Sequence, residues 1–236
     1  MKPKVLLIIP AFNEEKSIVK TIDSILKTNL DYIIINDGST DETSHIISSK
    51  QYNHINLPVN LGIGGAVQTG YKYAALHDYD IAVQVDADGQ HNIEYLDSLI
   101  QPIIDKKANL VIGSSFIDKS IKNQRSSKIR RLGIKFLSGT IKLFSGKRIY
   151  DPTSGFRAAD RSIIELFANS YPLEYPEPIS NYEIIRSNHY KIKEVPVKMN
   201  KRQAGRSSIH SWKSIYAAIN VFLSIIILTL GRSKYD

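Results

Sequence analysis

The chain contains no cysteine. That removes disulfides, thiolate metal sites and cysteine nucleophiles, and it suits an intracellular location. No apolar run near the start is long enough for a secretory signal, since Val5 to Ile9 leads directly into Pro10. Acidic side chains are also in deficit, 23 against 31 lysines and arginines, giving a formal charge of +8. This balance points to anionic partners: nucleotides, a phosphorylated substrate, an acidic membrane surface or nucleic acid. The deficit is concentrated, because Lys119 to Arg148 holds ten lysines and arginines and no acidic residue. The 236 residues, 42% of them hydrophobic and 23% charged, are enough for a full core in one domain, or in one domain with a short appendage.

What is present is organised around Ile81-Ala82-Val83-Gln84-Val85-Asp86-Ala87-Asp88-Gly89-Gln90-His91. The β-branched apolar run reads as a short buried strand, and two carboxylates arrive where it should end. In an open α/β sheet the ligand crevice lies outside the carboxyl ends of the strands, so Asp86 and Asp88 are expected in a cleft. Two nearby carboxylates repel, and a hard divalent ion such as Mg²⁺ between them relieves this while keeping positions for water and substrate phosphates. Gln90 and His91 stand beside them. The bland alternative is a simple Asp-Gly turn.

Earlier in the chain, Lys4 to Pro10 reads as a strand and Glu14 to Thr28 as a helix with Ile18, Ile22, Ile25 and Leu26 on one face. A second strand, Tyr32 to Asn36, ends in Asp37-Gly38-Ser39-Thr40-Asp41, where Ser39, Thr40 or Asp41 is placed to cap the next helix. His54 to Leu57 then leads into Pro58-Val59-Asn60-Leu61-Gly62-Ile63-Gly64-Gly65-Ala66, whose glycines precede a helix running to about His77. Strand-then-helix units in this order, each with polar or glycine residues at the strand end, predict a mostly parallel sheet with a nucleotide-sized cleft. Farther on, Ala159 to Asn169 reads as a helix, Tyr171 to Pro178 as an extended loop with Glu177 facing either the acceptor or solvent, and Lys191 to Val197 as a final strand.

Ile8-Ile9-Pro10-Ala11-Phe12-Asn13-Glu14, Asn36-Asp37-Gly38-Ser39-Thr40-Asp41, Asn60 to Ala66 and Asp86 to His91 together resemble the ordered signatures of family 2 glycosyltransferases of the GT-A fold. Asp151-Pro152-Thr153-Ser154-Gly155-Phe156-Arg157 and Arg202-Gln203-Ala204-Gly205-Arg206-Ser207-Ser208 resemble the polyprenyl-phosphate branch, the relatives of dolichol-phosphate mannose synthase. In length and in Tyr175-Pro176-Glu177-Pro178 the chain is similar to small bacterial enzymes that load sugars onto undecaprenyl phosphate for cell-wall or surface polysaccharide.

The resemblance, which covers roughly residues 4 to 210, implies a GT-A domain over residues 1–210, with a hydrophobic helix over 211–236. It implies that Pro10, Ala11, Asn13, Glu14, Asp37 and Gly62 bind the nucleotide part of the donor. Asp86, Asp88 and Gln90 would hold Mg²⁺ or Mn²⁺ at the donor diphosphate, and Arg157 and Arg202 would meet phosphate oxygens. Lys198 to Ser208 resembles the mobile basic loop that closes over donor phosphates in related enzymes. The implied reaction is inverting transfer of a sugar from UDP-GlcNAc or UDP-Glc to polyprenyl phosphate at the cytoplasmic face of the cell membrane. Asp151 is the best-placed candidate for a base, or for orienting Arg157 and the acceptor. An acceptor phosphate is already anionic and needs less help from a base than a sugar hydroxyl does.

The basic middle carries Ile129, Leu132, Phe136, Leu137, Ile141 and Phe144 at helical spacing over about 126–146, with Arg125, Lys128, Arg131, Lys135 and Lys142 providing the charge. Such a helix suits an anionic membrane surface, and an ordinary core-facing helix with a solvated basic face is the rival reading. Nucleic acid is not an expected partner, because interleaved aromatics and a recognisable binding motif are missing. Ser214 to Gly231 is an uncharged run of eighteen residues. As a helix it measures about 27 Å, short of a roughly 30 Å hydrocarbon core. It reads as a marginal membrane helix or interfacial anchor, completed by a small membrane partner or a second copy, or else as a buried terminal helix. The Gln-x-x-Arg-Trp signature and long spans of processive synthases are missing. Two further readings stand beside the lipid-phosphate transferase: a soluble family 2 transferase acting on a sugar hydroxyl, and a noncatalytic basic binding module.

Overall fold

The computed structural model describes residues 2–118, 128–200 and 211–231. Among them, seven strands form one mixed sheet: β1 Val5–Ala11, β2 Asp31–Asn36, β3 His54–Asn56, β4 Ile81–Gln84, β5 Leu110–Ser114, β6 Arg157–Asp160 and β7 Ile192–Pro196. Their spatial order is β3-β2-β1-β4-β6-β5-β7. β6 alone runs antiparallel to its neighbours, so it is the start of β6, not its end, that lies beside the carboxyl end of β4.

The helices are α1 Ile18–Leu26, α2 Thr43–Ser49, α3 Gly62–Leu76, α4 Leu96–Ile104, α5 Lys128–Ser145, α6 Arg161–Asn169, α7 Pro176–Ser187 and α8 Ser211–Leu230. Central strands are apolar on both sides because helices cover both faces. Leu7, Ile9, Val83 and Val111 meet α1 and α4 through Ile22, Ile25, Leu99 and Ile103. The alternate residues Leu6, Ile8, Ala82 and Leu110 meet α3 and α6 through Val67, Tyr71, Ile163 and Phe167. Gly70 permits this approach: a Cβ there would lie 2.2 Å from Ile8 Cγ2.

Several local expectations are corrected. The first helix begins at Ile18 rather than Glu14, because the Glu14 carbonyl accepts from the Ser17 and Ile18 amides in a preceding turn. Residues 157–160 are strand, and Asp160 then caps α6 by accepting from the Ile163 amide at 3.0 Å. The proline-rich 171–178 segment is extended only in part, since α7 starts at Pro176. Proline is tolerated there because a first-turn N–H has no intrahelical partner to lose.

α8 packs on α5 and α7, sharing a third apolar cluster made of Leu137, Ile141, Tyr182, Ile185, Val221 and Ile225. Tyr182 and Thr229 hydroxyls lie 2.6 Å apart, and Arg186 donates to the Gly231 carbonyl at 2.7 Å. No helix among the described residues is long and apolar enough to cross a membrane. α5 is amphipathic, but its buried side is Ile134, Leu137 and Ile141. Leu132 and Phe136 are exposed with Arg131, Lys135 and Lys142.

Candidate active site

The carboxylates of the β4 tip are placed by the backbone around them. Pairing with β1 continues one residue past β4, where the Val85 amide donates to the Ile8 carbonyl. The chain then turns through Gly89, at φ +75°. The Thr21 hydroxyl from α1 donates to the Ala87 carbonyl at 2.9 Å, and the Gln90 amide donates to Asp88 Oδ1 at 3.0 Å. Asp88 is buried and Asp86 half-buried. After β7, the Asn200 amide and side chain donate to the Gln90 and Gly89 carbonyls, tying that segment to the same turn.

His91 lies under this turn. Its ring stacks on Phe156 at 4.7 Å between centroids, and Nδ1 accepts from the Asp86 amide at 2.9 Å. Nε2, which must then carry the proton in the neutral ring, is 3.5 Å from Asp86 Oδ2. Burial lowers the His91 pKa to about 4 although the Asp88 and Asp151 carboxylates oppose this. The native chain thus refuses a proton that the unfolded chain takes up near pH 6.5. Stability is expected to fall as pH drops from about 6.5 to about 4, by roughly 3 kcal/mol at most. Urea unfolding at stepped pH checks this, and the slope over that window should shrink in His91→Gln.

The start of β6 closes the site from the other side. A Cβ on Gly155 would lie 2.8 Å from Gln84 Nε2 and 3.2 and 3.3 Å from the Asp86 carboxylate oxygens, so only bare backbone fits there. Asp151 is buried, and its Oδ2 accepts from the Ser115 amide and hydroxyl at 3.1 and 2.8 Å. Its own amide and that of Tyr150 donate to Glu194 on β7, whose carboxyl burial holds above the usual range.

The tips of β1 and β2 adjoin this site through the β1–β4 and β1–β2 pairings. Pro10 and Ala11 pair with Ile35 and Asn36. Asn13, at φ +56°, accepts from the Thr40 amide and donates its own amide to the Ser39 hydroxyl. The Glu14 amide donates to the Thr43 hydroxyl. Asp37 is buried and accepts from the Leu61 amide at 2.7 Å. Burial raises its pKa, and the Leu61 and Gly62 amides oppose the rise. Pro10, Ala11, Asn13, Glu14, Asp37 and Gly62 thus gather at one end, and Asp86, Asp88, Gln90 and Asp151 at the other, along adjoining strand tips.

Arg157 is a correction. It is fully buried on β6, and its terminal nitrogens donate to Tyr171 Oη, Ser180 Oγ, Asn181 Oδ1 and the Glu177 carbonyl at 3.0–3.3 Å. Those donors hold the first turn of α7 and are not turned to a substrate phosphate. Asp151 is not among its partners, so Asp151 does not orient it. Arg125 and Arg202, and the 201–208 part of the basic loop, lie outside the described residues. Lys128 opens α5, and Arg131 and Lys135 are exposed along it.

Among the described residues no group of three or more His, Asp or Glu side chains forms a self-sufficient metal cage. Two carboxylates at one strand tip, with the bare Gly155 backbone facing Asp86, fit instead an ion such as Mg²⁺ or Mn²⁺ that shares its coordination shell with a bound diphosphate and water. The carboxyl of Glu177 reaches this region too, and burial raises its pKa while the Arg157 guanidinium opposes the rise. So does the amide of Gln84, which sequence reasoning passes over. The one signal for it is a glutamine inside an otherwise apolar strand.

The profile of glycosyl transferase family 2 matches residues 6–167, from β1 through α6. The chain belongs to glycosyl transferase family 2. Among its family 2 relatives, the UDP-N-acetylglucosamine–dolichyl-phosphate N-acetylglucosaminyltransferase of Methanococcus voltae is 33% identical, covering 96% of both chains. The undecaprenyl-phosphate mannosyltransferase of Micrococcus luteus is 26% identical, covering 92% of both. Such relatives support membership in the polyprenyl-phosphate branch of the family. The fold matches glucosyl-3-phosphoglycerate synthase from Mycobacterium tuberculosis, crystallised with Mn²⁺, UDP-glucose and phosphoglyceric acid. The TM-score is 0.72 at 19% identity, covering 99% of this chain and 82% of that one. This family 2 glycosyltransferase therefore has the mixed α/β sheet with flanking helices of its GT-A neighbours.

Proposed function

We propose that the protein transfers a sugar from a UDP-sugar, UDP-GlcNAc or UDP-glucose, to a polyprenyl phosphate, with inversion at the anomeric carbon. The carrying observation is the Asp86–Asp88 pair at the tip of β4, beside the tips of β1 and β2. The activities named for the relatives supply the donor and acceptor classes.

Asp37 and the loop at Gly62 take the base and ribose, with Asn13 and Glu14 shaping that end. Asp86, Asp88 and Gln90 hold Mg²⁺ or Mn²⁺, which when bound offsets the charge that develops on the departing diphosphate. The acceptor phosphate oxygen forms a bond to the anomeric carbon as the bond from that carbon to the nucleotide diphosphate breaks. The nucleophile is already an anion, so no proton has to be removed from it. Asp151 sits near His91 and is held by Ser115, which suits a role in shaping the acceptor side.

Residues 1–210 are assigned to catalysis. α5 and α8 are assigned to contact with the cytoplasmic face of the membrane. Arg131, Leu132, Lys135, Phe136, Lys142 and Leu143 are exposed on α5. Tyr216, Ile219, Leu223, Ile227 and Leu230 form an exposed stripe on α8, and Phe222 of α8 meets Phe136 at 5.8 Å between ring centroids. Cations and large apolar groups side by side are the features of a helix lying in an anionic interface. The double variant Arg131→Gln/Lys135→Gln is expected to bind anionic vesicles about thirtyfold more weakly in a sedimentation assay, at about 1 kcal/mol per cation. Neutral vesicles should show no difference.

The reaction itself is tested by incubating the protein with undecaprenyl phosphate, Mn²⁺ and radiolabelled UDP-GlcNAc, UDP-glucose or GDP-mannose. Label extracted into organic solvent from a UDP-sugar is the expected result. Label confined to a water-soluble glycoside would replace the lipid acceptor with a sugar hydroxyl, and label from GDP-mannose alone would replace the donor.

A further inference from the structure

We propose that Gln84 is a positioning residue for Asp86: its amide is held between the Asp86 and Glu177 carboxyl groups, fixes the Asp86 side chain, and keeps Glu177 out of the divalent-ion shell. The inference rests on the assignment of Asp86 and Asp88 as ion ligands.

Gln84 is the last residue of β4, 1% exposed, and stands directly across from Arg157 in the β4–β6 register. Its Nε2 donates to Asp86 Oδ1 at 3.3 Å, and the Glu177 carboxyl lies near enough to feel both Gln84 and Asp86. A buried polar residue inside an apolar strand is costly, and here part of the cost is visible: Gln84 Oε1 is buried without a hydrogen-bond partner. Exchanging the amide oxygen and nitrogen does not help, because the oxygen would then face the Asp86 carboxylate and lose that bond. The bond to Asp86 therefore fixes the amide in one orientation, Nε2 toward that carboxylate.

Two surroundings hold the arrangement in place. Gly155 leaves bare backbone against both the amide and the Asp86 carboxylate, and any side chain there would displace one of them. On the far side, Arg157 anchors the first turn of α7 through the Glu177 carbonyl, Ser180 and Asn181, which sets where Glu177 can reach. A third carboxylate free to enter the ion shell would change both its charge and its geometry. The shared amide prevents that by occupying the space between the two groups.

The test is Gln84→Met, which keeps the length and removes the donors. Mn²⁺ binding in the presence of UDP, read from the electron paramagnetic resonance signal of free Mn²⁺, is expected to weaken by about tenfold or more, the range seen when an outer partner of a metal ligand is lost. Unchanged Mn²⁺ affinity in a folded Gln84→Met protein overturns the proposal. Glu177→Gln provides a second arm that does not depend on that variant folding. Its Mn²⁺ affinity should be unchanged, and a loss would make Glu177 an ion ligand and overturn the proposal as well. Asp88→Ala separates the two levels of argument. If it retains UDP-dependent Mn²⁺ binding, the ion site itself is misassigned. If it loses binding while Gln84→Met does not, only the role of Gln84 fails.

Discussion

Asp88→Ala is expected to lower sugar transfer by about two to three orders of magnitude at saturating Mn²⁺ and donor, without loss of folding. The size reflects electrostatics, since groups that stabilise charge developing in a transition state are worth about that much when one is deleted in a water-poor site. Asp88 is 7% exposed and receives the Gln90 amide at 3.0 Å, so its carboxylate is held in place rather than sampling solvent. Removing it takes a buried anion out of a site that already contains Asp86, with Asp151 nearby. The native fold is therefore not expected to suffer, and a melting curve like that of the parent accompanies the loss. Transfer assayed with labelled UDP-sugar over a Mn²⁺ series is the measurement. Activity within a few fold of the parent would remove the ion-dependent mechanism, and the proposed function with it.

Arg157→Met is expected to do the reverse, damaging the fold before the chemistry. The side chain is 0% exposed and donates to Tyr171, Ser180, Asn181 and the Glu177 carbonyl, joining β6 to the loop before α7 and to α7 itself. Methionine fills much of the volume but leaves those acceptors buried and unpaired, and it removes the buried positive charge that opposes the rise in the Glu177 and Tyr171 pKa values. Breaking a buried charge network from one side costs about 3–5 kcal/mol, which for a chain of this size lowers the melting temperature by roughly 10 °C. Thermal unfolding of Arg157→Met beside Asp88→Ala checks the contrast. A stable Arg157→Met protein with greatly weakened donor binding would return Arg157 to the phosphate-contacting role that its motif implies.

The contrast between these two residues marks where sequence reasoning stops. Asp86 and Asp88 were legible because a strand of Ile, Ala and Val must end somewhere, and an open parallel sheet puts that end at a crevice. Asp37 was legible for the same reason at the tip of β2. Arg157 sits in an equally suggestive motif, but whether an arginine faces phosphate or core depends on which helix closes over it. That helix, α7, carries two prolines in its first turn, and they look extended in sequence. β6 was hidden because four residues leading straight into the capped helix α6 do not show a period of their own. α5 is legible as a basic amphipathic helix, but which of its apolar residues are covered is set by how α7 and α8 meet it: Ile134, Leu137 and Ile141 are buried, and Leu132 and Phe136 stay exposed.

The reversal of β6 separates the two halves of the cleft in the order of the chain. Pro10 to Gln90 come from successive strand-to-helix turns of the first half of the chain, while Asp151, Gly155 and Asn200, which close on the β4 turn, come from the second half. A change that rebuilds α5 but keeps Gly155, Phe156 and Asn200, which meet Asp86, His91 and the Gly89–Gln90 turn, leaves the turns of the first half in place. Chimaeras crossed over within the connection after β5 should therefore keep the donor of one parent while adopting the acceptor of the other.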